Sequence, residues 1–267
     1  MLMNLRHLAE RFSRGVILRR HLPKQFQNLP LYVSPEASLR YWRWDVETAD
    51  PMLFRMVREL VRPGAVVWDV GANVGLFSFS AAALAGPRGF VLTIEPDVWL
   101  AHLLARSARR IQQRSAGAAP VAVLCAAASE TSCIGQLQIA ERARAANYLM
   151  DAKGSSQAGG SRYQQPTVTV SLDFLLDYFP VPSVLKIDVE TAEANVLRGA
   201  SKLLRTIRPV IWCEVAADNS ETVSELLGQG AYEMSSAAVE PAKRRPLTLA
   251  PWDTLAVPKT LQEIKSR

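Results

Sequence analysis

One short stretch of the sequence combines residue types that can hold a ligand. It reads WDVGANVGLFSFS (68–80), and in it Asp69 precedes a turn made of Gly71, Asn73 and Gly75. Glycine and asparagine tolerate the left-handed backbone conformation, so the chain can turn tightly there and approach a ligand closely. A helical pattern follows, and the free N–H groups of a helix N-terminus point at whatever lies before it. The stretch therefore predicts a small-molecule site directly after a buried strand.

A second stretch, LKIDVETAEANVLRGA (185–200), places three carboxylates after another apolar run. Asp188 and Glu190 lie at the carboxyl end of a predicted strand, and Glu193 lies at the start of the next helix. We predict them as catalytic residues, with Asp188 the first candidate for a base or substrate orienter. The alternatives are that Asp188 binds a cofactor ammonium group and that the glutamates only complement a helix dipole. Lys186, on a strand buried on both faces, requires an anionic partner.

The elements that must position these residues alternate along the chain. The predicted strands cover residues 65–70, 90–95, 121–126, 167–172, 184–189 and 209–215. The predicted helices cover residues 51–62, 76–85, 98–111, 192–207 and about 220–228. This alternation predicts an α/β fold with a doubly wound, mostly parallel sheet, closed by a C-terminal hairpin that ends in DTLAVP. We assign residues 51–267 to this domain and residues 1–50 to a helical or irregular extension.

The position of Glu95 helps to identify the ligand. In open α/β sheets ligands bind beyond the carboxyl ends of the strands, and Glu95 ends the second strand, where a carboxylate can accept both hydroxyls of a ribose. A dinucleotide site would read GxGxxG, whereas the spacing here is GxNxG with Asp69 in front. That acid would repel a pyrophosphate but can hold the ammonium group of S-adenosylmethionine. The residues favour S-adenosylmethionine over NAD, and a tight turn without any ligand is the remaining alternative.

Together these blocks resemble one known family. VVWDVGANVGLFSFS, TIEPD, LKIDVETAEANVLRGASKLL and RPVIWCEV are similar to successive blocks of the FkbM-type methyltransferases, from about residue 65 to 215. The resemblance implies a class I (Rossmann-like) fold and methyl transfer from S-adenosylmethionine, commonly to a hydroxyl of a sugar, polyketide or other small natural product. The residues implied to bind the cofactor are Asp69, Gly71, Asn73 and Gly75 at the methionine and ribose, Glu95 at the ribose hydroxyls, and Ala127, within 126–129, at the adenine.

One residue departs from the family pattern. The family usually has glycine after KIDVE, where this chain has Thr191. Threonine disfavours positive φ, so the turn either adopts negative φ or is reshaped. Thr191 also favours a second reading, a non-catalytic binding protein on a degenerate methyltransferase fold. An NAD-dependent oxidoreductase is the third reading, although we find no convincingly placed proton donor for it.

Composition and charge limit the partners. The 267 residues are 49% hydrophobic and 21% charged with a net charge of +6, which is typical of a globular protein. Residues 1–24 carry six cations against one acid, and their apolar residues recur at near-helical spacing. Weak contact of this segment with a membrane surface is therefore an alternative to its packing on the domain. The sequence lacks the interleaved aromatic and basic residues that are typical of single-strand nucleic-acid binders, so we expect no nucleic-acid partner. No apolar run reaches the roughly 18 residues of a membrane span. The three cysteines form no CxxC pair, and we expect a cytoplasmic protein.

Three further expectations concern a metal, one loop and two aromatic residues. A divalent metal at the three carboxylates is conceivable but not favoured, because no histidine is nearby. Residues 151–165, rich in glycine and serine, are predicted to form a loop that is either a lid over the site or simply disordered. Trp42 and Trp44 are expected to pack the N-terminal part on the core rather than to line an acceptor pocket.

Overall fold

The computed structural model describes residues 10, 12–150 and 159–260, and strands alternate with helices along most of that length. The strands are β1 (Leu18–His21), β2 (Pro30–Val33), β3 (Val66–Val70), β4 (Phe90–Ile94), β5 (Val121–Leu124), β6 (Ala127–Ala128), β7 (Cys133–Ala140), β8 (Tyr148–Leu149), β9 (Ser161–Val170), β10 (Val184–Ile187), β11 (Val210–Glu214), β12 (Tyr232–Ser236) and β13 (Asp253–Pro258). The α-helices are α1 (Pro51–Leu60), α2 (Leu76–Ala85), α3 (Val98–Arg114), α4 (Leu172–Leu175), α5 (Glu193–Arg198) and α6 (Ser220–Gln229).

Seven of these strands form the central sheet, in the order β12–β13–β11–β10–β3–β4–β5. The five strands from β11 to β5 pair in parallel, whereas β13 is antiparallel to both β11 and β12. The predicted doubly wound, mostly parallel sheet with a C-terminal antiparallel hairpin is confirmed. The chain builds outward from β3 first to β4 and β5 and then, on the other side, to β10 and β11. The strand order therefore reverses between β3 and β10, which is where such sheets bind ligands.

Apolar side chains fill both faces of the central sheet. One core contains Phe54 of α1, Phe77 of α2 and Leu104 of α3, and the other contains Leu197 of α5 and Leu227 of α6. Neighbouring residues of a strand point to opposite faces, so the central strands read as continuous apolar runs rather than as alternating ones. Burial on both faces holds the carboxyl edge of the sheet rigid.

The helices that border the site begin at specific capping residues. Asp50 accepts a hydrogen bond from Leu53 N at 3.0 Å at the start of α1, and Asp97 accepts one from Trp99 N at 2.9 Å at the start of α3. Such caps satisfy N–H groups that lack partners inside the helix. Gly75 precedes α2 in the left-handed conformation with φ 86°. Its conformation turns the chain from β3 into the helix.

The N-terminal segment contains a feature that the sequence did not indicate. β1 and β2 form a two-stranded antiparallel sheet, and Tyr32 N donates to Ser107 Oγ of α3 at 2.9 Å. Much of the predicted amphipathic segment at 1–24 lies outside the described residues. The expected packing of Trp42 and Trp44 is wrong, since their side chains remain 48% and 82% exposed. The Arg20 guanidinium stacks on Trp44 instead, 4.5 Å from its ring centre.

A second sheet lies between β5 and α4 in the chain and was only partly expected. Its four strands have the order β6–β9–β7–β8, with β7 and β9 antiparallel. Residues 161–165, predicted as part of a loop, belong to β9, because β7 supplies backbone partners to a segment whose own side chains have little to bury. The predicted loop residues 151–158 lie outside the described residues. The expected strand at 167–172 therefore begins earlier, and it ends at Val170.

The helix predicted over residues 192–207 is divided into two pieces. α5 ends at Arg198, and a π-helical turn occupies Leu203–Ile207. The Asp173 carboxylate accepts hydrogen bonds from Lys202 N at 2.7 Å and from Leu203 N at 2.8 Å, so it caps the second piece as a separate element. Gly199 lies at the break, where a Cβ atom would come within 2.1 Å of the Ser129 carbonyl oxygen.

Because of this close approach, we expect Gly199→Ala to lower the free energy of unfolding by about 1–3 kcal/mol, the usual cost of forcing extra volume into a packed region. Urea denaturation monitored by circular dichroism measures the change.

Gly228→Ala is the matched control for that experiment. Nothing lies within 4 Å of a Cβ atom at Gly228, which is in α6, so alanine there should leave stability unchanged or raise it by about 0.5–1 kcal/mol. Equal effects of the two substitutions would contradict the close-packing argument.

Candidate active site

A cavity of about 240 Å³ opens at the carboxyl ends of β3, β4, β10 and β11. It occupies the switch point of the sheet, where the strand order reverses. Six of the residues predicted from sequence line it: Gly71, Asn73, Glu95, Ala127, Asp188 and Glu190. The strand register explains why, because β3 pairs with both β4 and β10, so the residues that follow these strands emerge at one edge.

Glu95 is held rigidly on the β4 side of the cavity. Its two carboxylate oxygens accept hydrogen bonds from Asn73 N at 2.8 Å and from Asp97 N at 2.9 Å. Burial and then the nearby Asp97 carboxylate raise the pKa of Glu95 to about 8. The carboxylate is thus oriented by the backbone and retains lone pairs for further donors.

The turn after β3 forms the floor of the cavity. A Cβ atom at Gly71 would lie 1.8 Å from the Asp188 carbonyl oxygen, so this position accepts no side chain. Asn73 adopts the left-handed conformation with φ 54°, as its residue type permits. Asn73 Oδ1 is buried and has no hydrogen-bond partner among the described residues. An unpaired buried oxygen beside a cavity is an acceptor available to a bound ligand.

Lys186 lies under the cavity between two carboxylates. Its Nζ is 3.1 Å from Asp188 Oδ2 and 3.3 Å from Asp69 Oδ1, and it donates to the Gly71 carbonyl oxygen at 3.3 Å. Its contact with Asp69 is an ion pair without hydrogen-bond geometry. Burial by itself would lower the pKa of Lys186, but Asp188 and Asp69 outweigh it, and that pKa is raised. The anionic partner predicted for Lys186 is therefore present.

The structure does not bring three of the predicted site residues to the cavity. Asp69 is completely buried in β3 and accepts a short hydrogen bond from Ser78 Oγ, so it supports Lys186 rather than facing a ligand. Gly75 turns the chain into α2 and lies against Phe79. Glu193 is 2% exposed, with its carboxylate directed into the protein.

Glu193 stabilises the turn that carries Thr191. Glu193 Oε1 accepts from Thr191 N at 3.1 Å, and Asn219 Nδ2 donates both to Glu193 Oε2 at 2.5 Å and to the Thr191 carbonyl at 2.9 Å. Burial raises the pKa of Glu193. Thr191 has φ 65°, so the turn keeps the conformation expected of glycine and is not reshaped. The alternative of negative φ is thereby wrong, and the threonine is strained.

The second sheet and the N-terminal segment close the cavity on the Glu95 side. Arg144 donates to Asp97 Oδ2 at 2.7 Å and to Glu36 Oε1 at 2.8 Å, and its guanidinium lies 4.9 Å from the Trp99 ring centre. Asn147 also donates to Asp97, at 2.8 Å. Since Asp97 N holds Glu95, this buried network connects both outer segments to the cavity.

Several cavity residues were not identified from the sequence. On the β11 side these are Trp212, Glu214, Arg40, Asp50 and Trp252. Glu214 could have been found, because it ends the strand PVIWCEV just as Asp188 follows LKI. Arg40 and Asp50, joined by an ion pair of 3.0 Å, carry no comparable signal, since Arg40 lies in a short 3₁₀ turn (Leu39–Trp42) and Asp50 caps α1, both outside the sequence motifs.

Metal ligands are not grouped in this region. Among the residues that the structure describes, no three His, Cys, Asp or Glu side chains are arranged to hold a metal ion.

None of the described helices is long and apolar enough to cross a membrane.

Comparison with known proteins shows which family the sequence matches. Residues 69–235 match the Methyltransferase FkbM domain. The hexuronic acid methyltransferase AglP of Haloferax volcanii is 26% identical over 192 residues, which are 70% of this chain and 72% of that protein.

Two solved structures are similar at low identity. An FkbM methyltransferase from Methylobacillus flagellatus is 15% identical over 76% of this chain, with a TM-score of 0.45, and this chain spans about half of it (49%). Aeropyrum pernix fibrillarin, solved with natively bound S-adenosyl-L-methionine, is 13% identical over 77% of this chain and 73% of its own, with a TM-score of 0.41.

The strained turn yields a stability prediction. We expect Thr191→Gly to raise the free energy of unfolding by about 0.5–1 kcal/mol, because relief of the left-handed strain exceeds the added freedom of glycine in the unfolded chain. Thr191→Ala keeps Cβ and should gain less. Urea denaturation distinguishes them, and equal stability of the two variants would contradict the strain argument.

Lys186 yields a second stability prediction. Lys186→Met should lower the free energy of unfolding by about 3–5 kcal/mol, because it leaves the buried Asp69 charge without a counter-ion. The double variant with Asp69→Asn removes that charge and should recover part of the loss. A loss below about 1 kcal/mol in the single variant would show that the pair is not needed.

Proposed function

Because the chain belongs to the FkbM methyltransferase family, we propose that it transfers the methyl group of S-adenosylmethionine to a hydroxyl of a small acceptor held in the cavity between β3 and β10. The observation that carries the proposal is the row of residues at the carboxyl edge of the sheet, in which Glu95, Gly71 and Asp188 follow three adjacent strands and line one cavity.

The described residues fit S-adenosylmethionine. The Glu95 carboxylate, fixed by two backbone N–H groups, suits the two ribose hydroxyls. Gly71, which has no side chain, lets the turn lie close against the Asp188 backbone. The unpaired Asn73 Oδ1 supplies an acceptor for an ammonium or hydroxyl group. The Asp188 carboxylate, which also lines the cavity, can attract the methionine ammonium, and Ala127 in the cavity wall is suited to pack against the adenine.

The chemistry suits a hydroxyl nucleophile. The sulfonium supplies an electrophilic methyl group when bound, so the protein's main tasks are to align the acceptor, exclude water and take up a proton. On the β11 side the cavity has the carboxylates of Asp188, Glu190 and Glu214, which can accept hydrogen bonds from hydroxyls. Trp252, 59% exposed, offers an apolar face to the body of an acceptor.

The acceptor class is a finer part of the proposal. AglP is named as acting on a hexuronic acid, which supports a sugar derivative as acceptor, with polyketides and other hydroxylated natural products as alternatives. Arg40, which is paired with Asp50, is the cation on that side of the cavity that could bind an acceptor carboxylate. The surrounding carboxylates have the opposite effect, because they favour an uncharged polyol over a sugar acid.

The other readings lose support from particular observations. The non-catalytic reading rested on Thr191, and this residue retains the left-handed conformation that glycine would adopt there. The oxidoreductase reading required a pyrophosphate at the turn, where the Asp188 carboxylate adds negative charge. Neither is favoured by a specific contact.

Cofactor binding gives the first functional prediction. S-adenosylhomocysteine should bind more tightly as pH rises from 6 to 8, up to about tenfold per pH unit, because the ribose hydroxyls donate to ionised Glu95, whose pKa lies at about 8. Glu95→Gln should weaken binding about 10- to 100-fold at pH 8.5 and remove most of this pH dependence. Isothermal titration calorimetry measures both effects.

NAD and Glu221→Gln are the controls for this titration. NAD should not bind, and Glu221, which is exposed in α6 and does not line the cavity, should have no effect when changed. Binding of NAD without S-adenosylhomocysteine would replace the methyltransferase proposal with the oxidoreductase reading. Unchanged affinity in Glu95→Gln would remove Glu95 from the cofactor site.

Methyl transfer itself is tested with radiolabelled S-adenosylmethionine and a panel of acceptors. The panel contains methyl α-glucoside, methyl β-glucuronide, myo-inositol and catechol. Labelled methyl product from at least one of them supports hydroxyl methylation. Cofactor binding without labelled product from any of them counts against it and favours the non-catalytic reading.

A further inference from the structure

Glu214 stands beside Asp188 at the carboxyl edge of the sheet. β10 and β11 pair in register up to Ile187 and Cys213, so Asp188 and Glu214 are the next residues of adjacent strands. Adjacent strands lie about 4.8 Å apart, which sets the scale of their separation. The carboxyl edge of the sheet carries one such residue at or directly after the end of each of four adjacent strands, in the order β4, β3, β10 and β11. These residues are Glu95, Gly71, Asp188 and Glu214. Glu214 is therefore the member farthest from Glu95.

The carboxylates along this row differ in their hydrogen-bond and ion-pair partners. Glu95 accepts two backbone hydrogen bonds, and Asp188 is paired with the Lys186 ammonium at 3.1 Å. No hydrogen bond from the described residues reaches the Glu214 carboxylate, which lines the cavity and is partly accessible. A base must have a free lone pair directed at the proton that it takes. Glu214 meets this requirement with both carboxylate oxygens, whereas Asp188 Oδ2 is engaged by the Lys186 ammonium.

The surroundings of Glu214 also strengthen it as a base. Burial, followed by the negative charge of Asp188, raises the pKa of Glu214 to about 7, with a smaller contribution of the same sign from Asp50 and opposing ones from Lys186 and Arg40. On the other side, β13 places Asp253 opposite Glu214 in register. Glu190 and Glu193 line a smaller adjoining cavity together with Glu214, so acids outnumber the cations around it.

The wall next to Glu214 supplies a donor for the acceptor. Trp212, two residues earlier on the same face of β11, also lines the cavity, and its buried Nε1 has no hydrogen-bond partner in the described part of the chain. A buried N–H without a partner is unfavourable unless a ligand satisfies it. An oxygen of the acceptor held by Trp212 Nε1 would lie near the Glu214 carboxylate.

We infer that Glu214 is the catalytic base that removes the proton from the acceptor hydroxyl, while Asp188, paired with Lys186, orients the bound molecules. This inference rests on the proposed function. The acceptor O–H proton passes to Glu214 as the oxygen forms its new bond to the methyl carbon. The carbon–sulfur bond of the donor breaks, and the sulfur keeps that electron pair, which gives S-adenosylhomocysteine. Glu214 then releases the proton to solvent through the open side of the cavity.

Kinetics of Glu214→Gln test the inference, using whichever acceptor of the four-member panel the wild-type protein methylates fastest. The substitution keeps size and polarity but cannot take a proton. It should lower kcat by about 100- to 10,000-fold, the usual contribution of a general base, with the acceptor KM and the S-adenosylhomocysteine Kd changed less than about threefold. The wild-type kcat should rise with pH, with a midpoint near pH 7 and a plateau above about pH 8, since the base acts when ionised, and the variant should lack that rise.

Matched variants separate a base from a structural residue. Glu221→Gln, in the exposed first turn of α6, should retain wild-type kcat. Asp188→Asn should raise KM or the cofactor Kd and should keep the pH-dependent rise but move it to lower pH, because the Asp188 charge that raises the pKa of Glu214 is then absent. The inference is overturned if Glu214→Gln keeps kcat within tenfold of wild type with an unchanged pH profile, or if Asp188→Asn abolishes the rise instead.

An acceptor that needs no base provides a further check. 4-Nitrophenol is largely ionised at pH 8, so any methylation of it should fall less than about tenfold in Glu214→Gln, in contrast to an alcohol. An equal loss for both would assign Glu214 to positioning and overturn its role as base.

A protein that binds S-adenosylhomocysteine but methylates none of the acceptors would fail the proposed function first. In that case direct titration of Glu214 decides its part: a ¹³C-carboxyl signal, assigned by its absence in Glu214→Gln, should move with a midpoint between about pH 6 and 8. A midpoint below about pH 5 would overturn the inference independently, because the carboxylate would then be too weak a base at neutral pH.

Discussion

The ammonium group of Lys186, buried between Asp69 and Asp188, determines how the carboxyl edge of the sheet is organised. A lone lysine at this depth would be unstable, and so would a lone Asp69, which is fully buried. Together with the Gly71 carbonyl, which accepts from the same Nζ, they join β3 to β10 at the point where the strand order reverses. The ion pair thus fixes the relative position of the glycine turn and the strand-end carboxylate, and the cavity lies directly above it.

The rest of the site is built outward from that junction. On one side Glu95 is held by backbone N–H groups, and Arg144 ties Asp97, and through it Glu95, to the second sheet and to Glu36 of the N-terminal segment. On the other side Trp212 and Glu214 continue the edge along β11. The Glu95 carboxylate on the first side is held by two backbone N–H groups, whereas no hydrogen bond from the described residues reaches the Glu214 carboxylate on the second. That contrast is why we assign the first side to cofactor binding and the second to the acceptor.

The sequence predicted the central sheet because its signals are local. Continuous apolar runs marked β3, β4, β10 and β11, and glycine with asparagine marked the turn after β3. The second sheet was largely missed, since β7 and the start of β9 are polar and become strands only by pairing with each other. The roles of Asp69 and Glu193 were also beyond a sequence argument. Whether a strand-end acid faces a cavity or a buried lysine depends on side-chain direction, which spacing does not determine.

The position of Arg40 and Asp50 has a consequence for how such a protein diversifies. Both lie before residue 69, Arg40 in a short 3₁₀ turn and Asp50 at the start of α1, and so precede the family domain, yet they line the same cavity as Glu214. Under the proposed function, substitutions in this leading segment would alter acceptor preference while leaving the cofactor-binding strands untouched. Selection on substrate range and selection on methyl-donor binding would then act on separate stretches of one gene, and exchanging residues 39–50 between relatives becomes a direct route to new specificities.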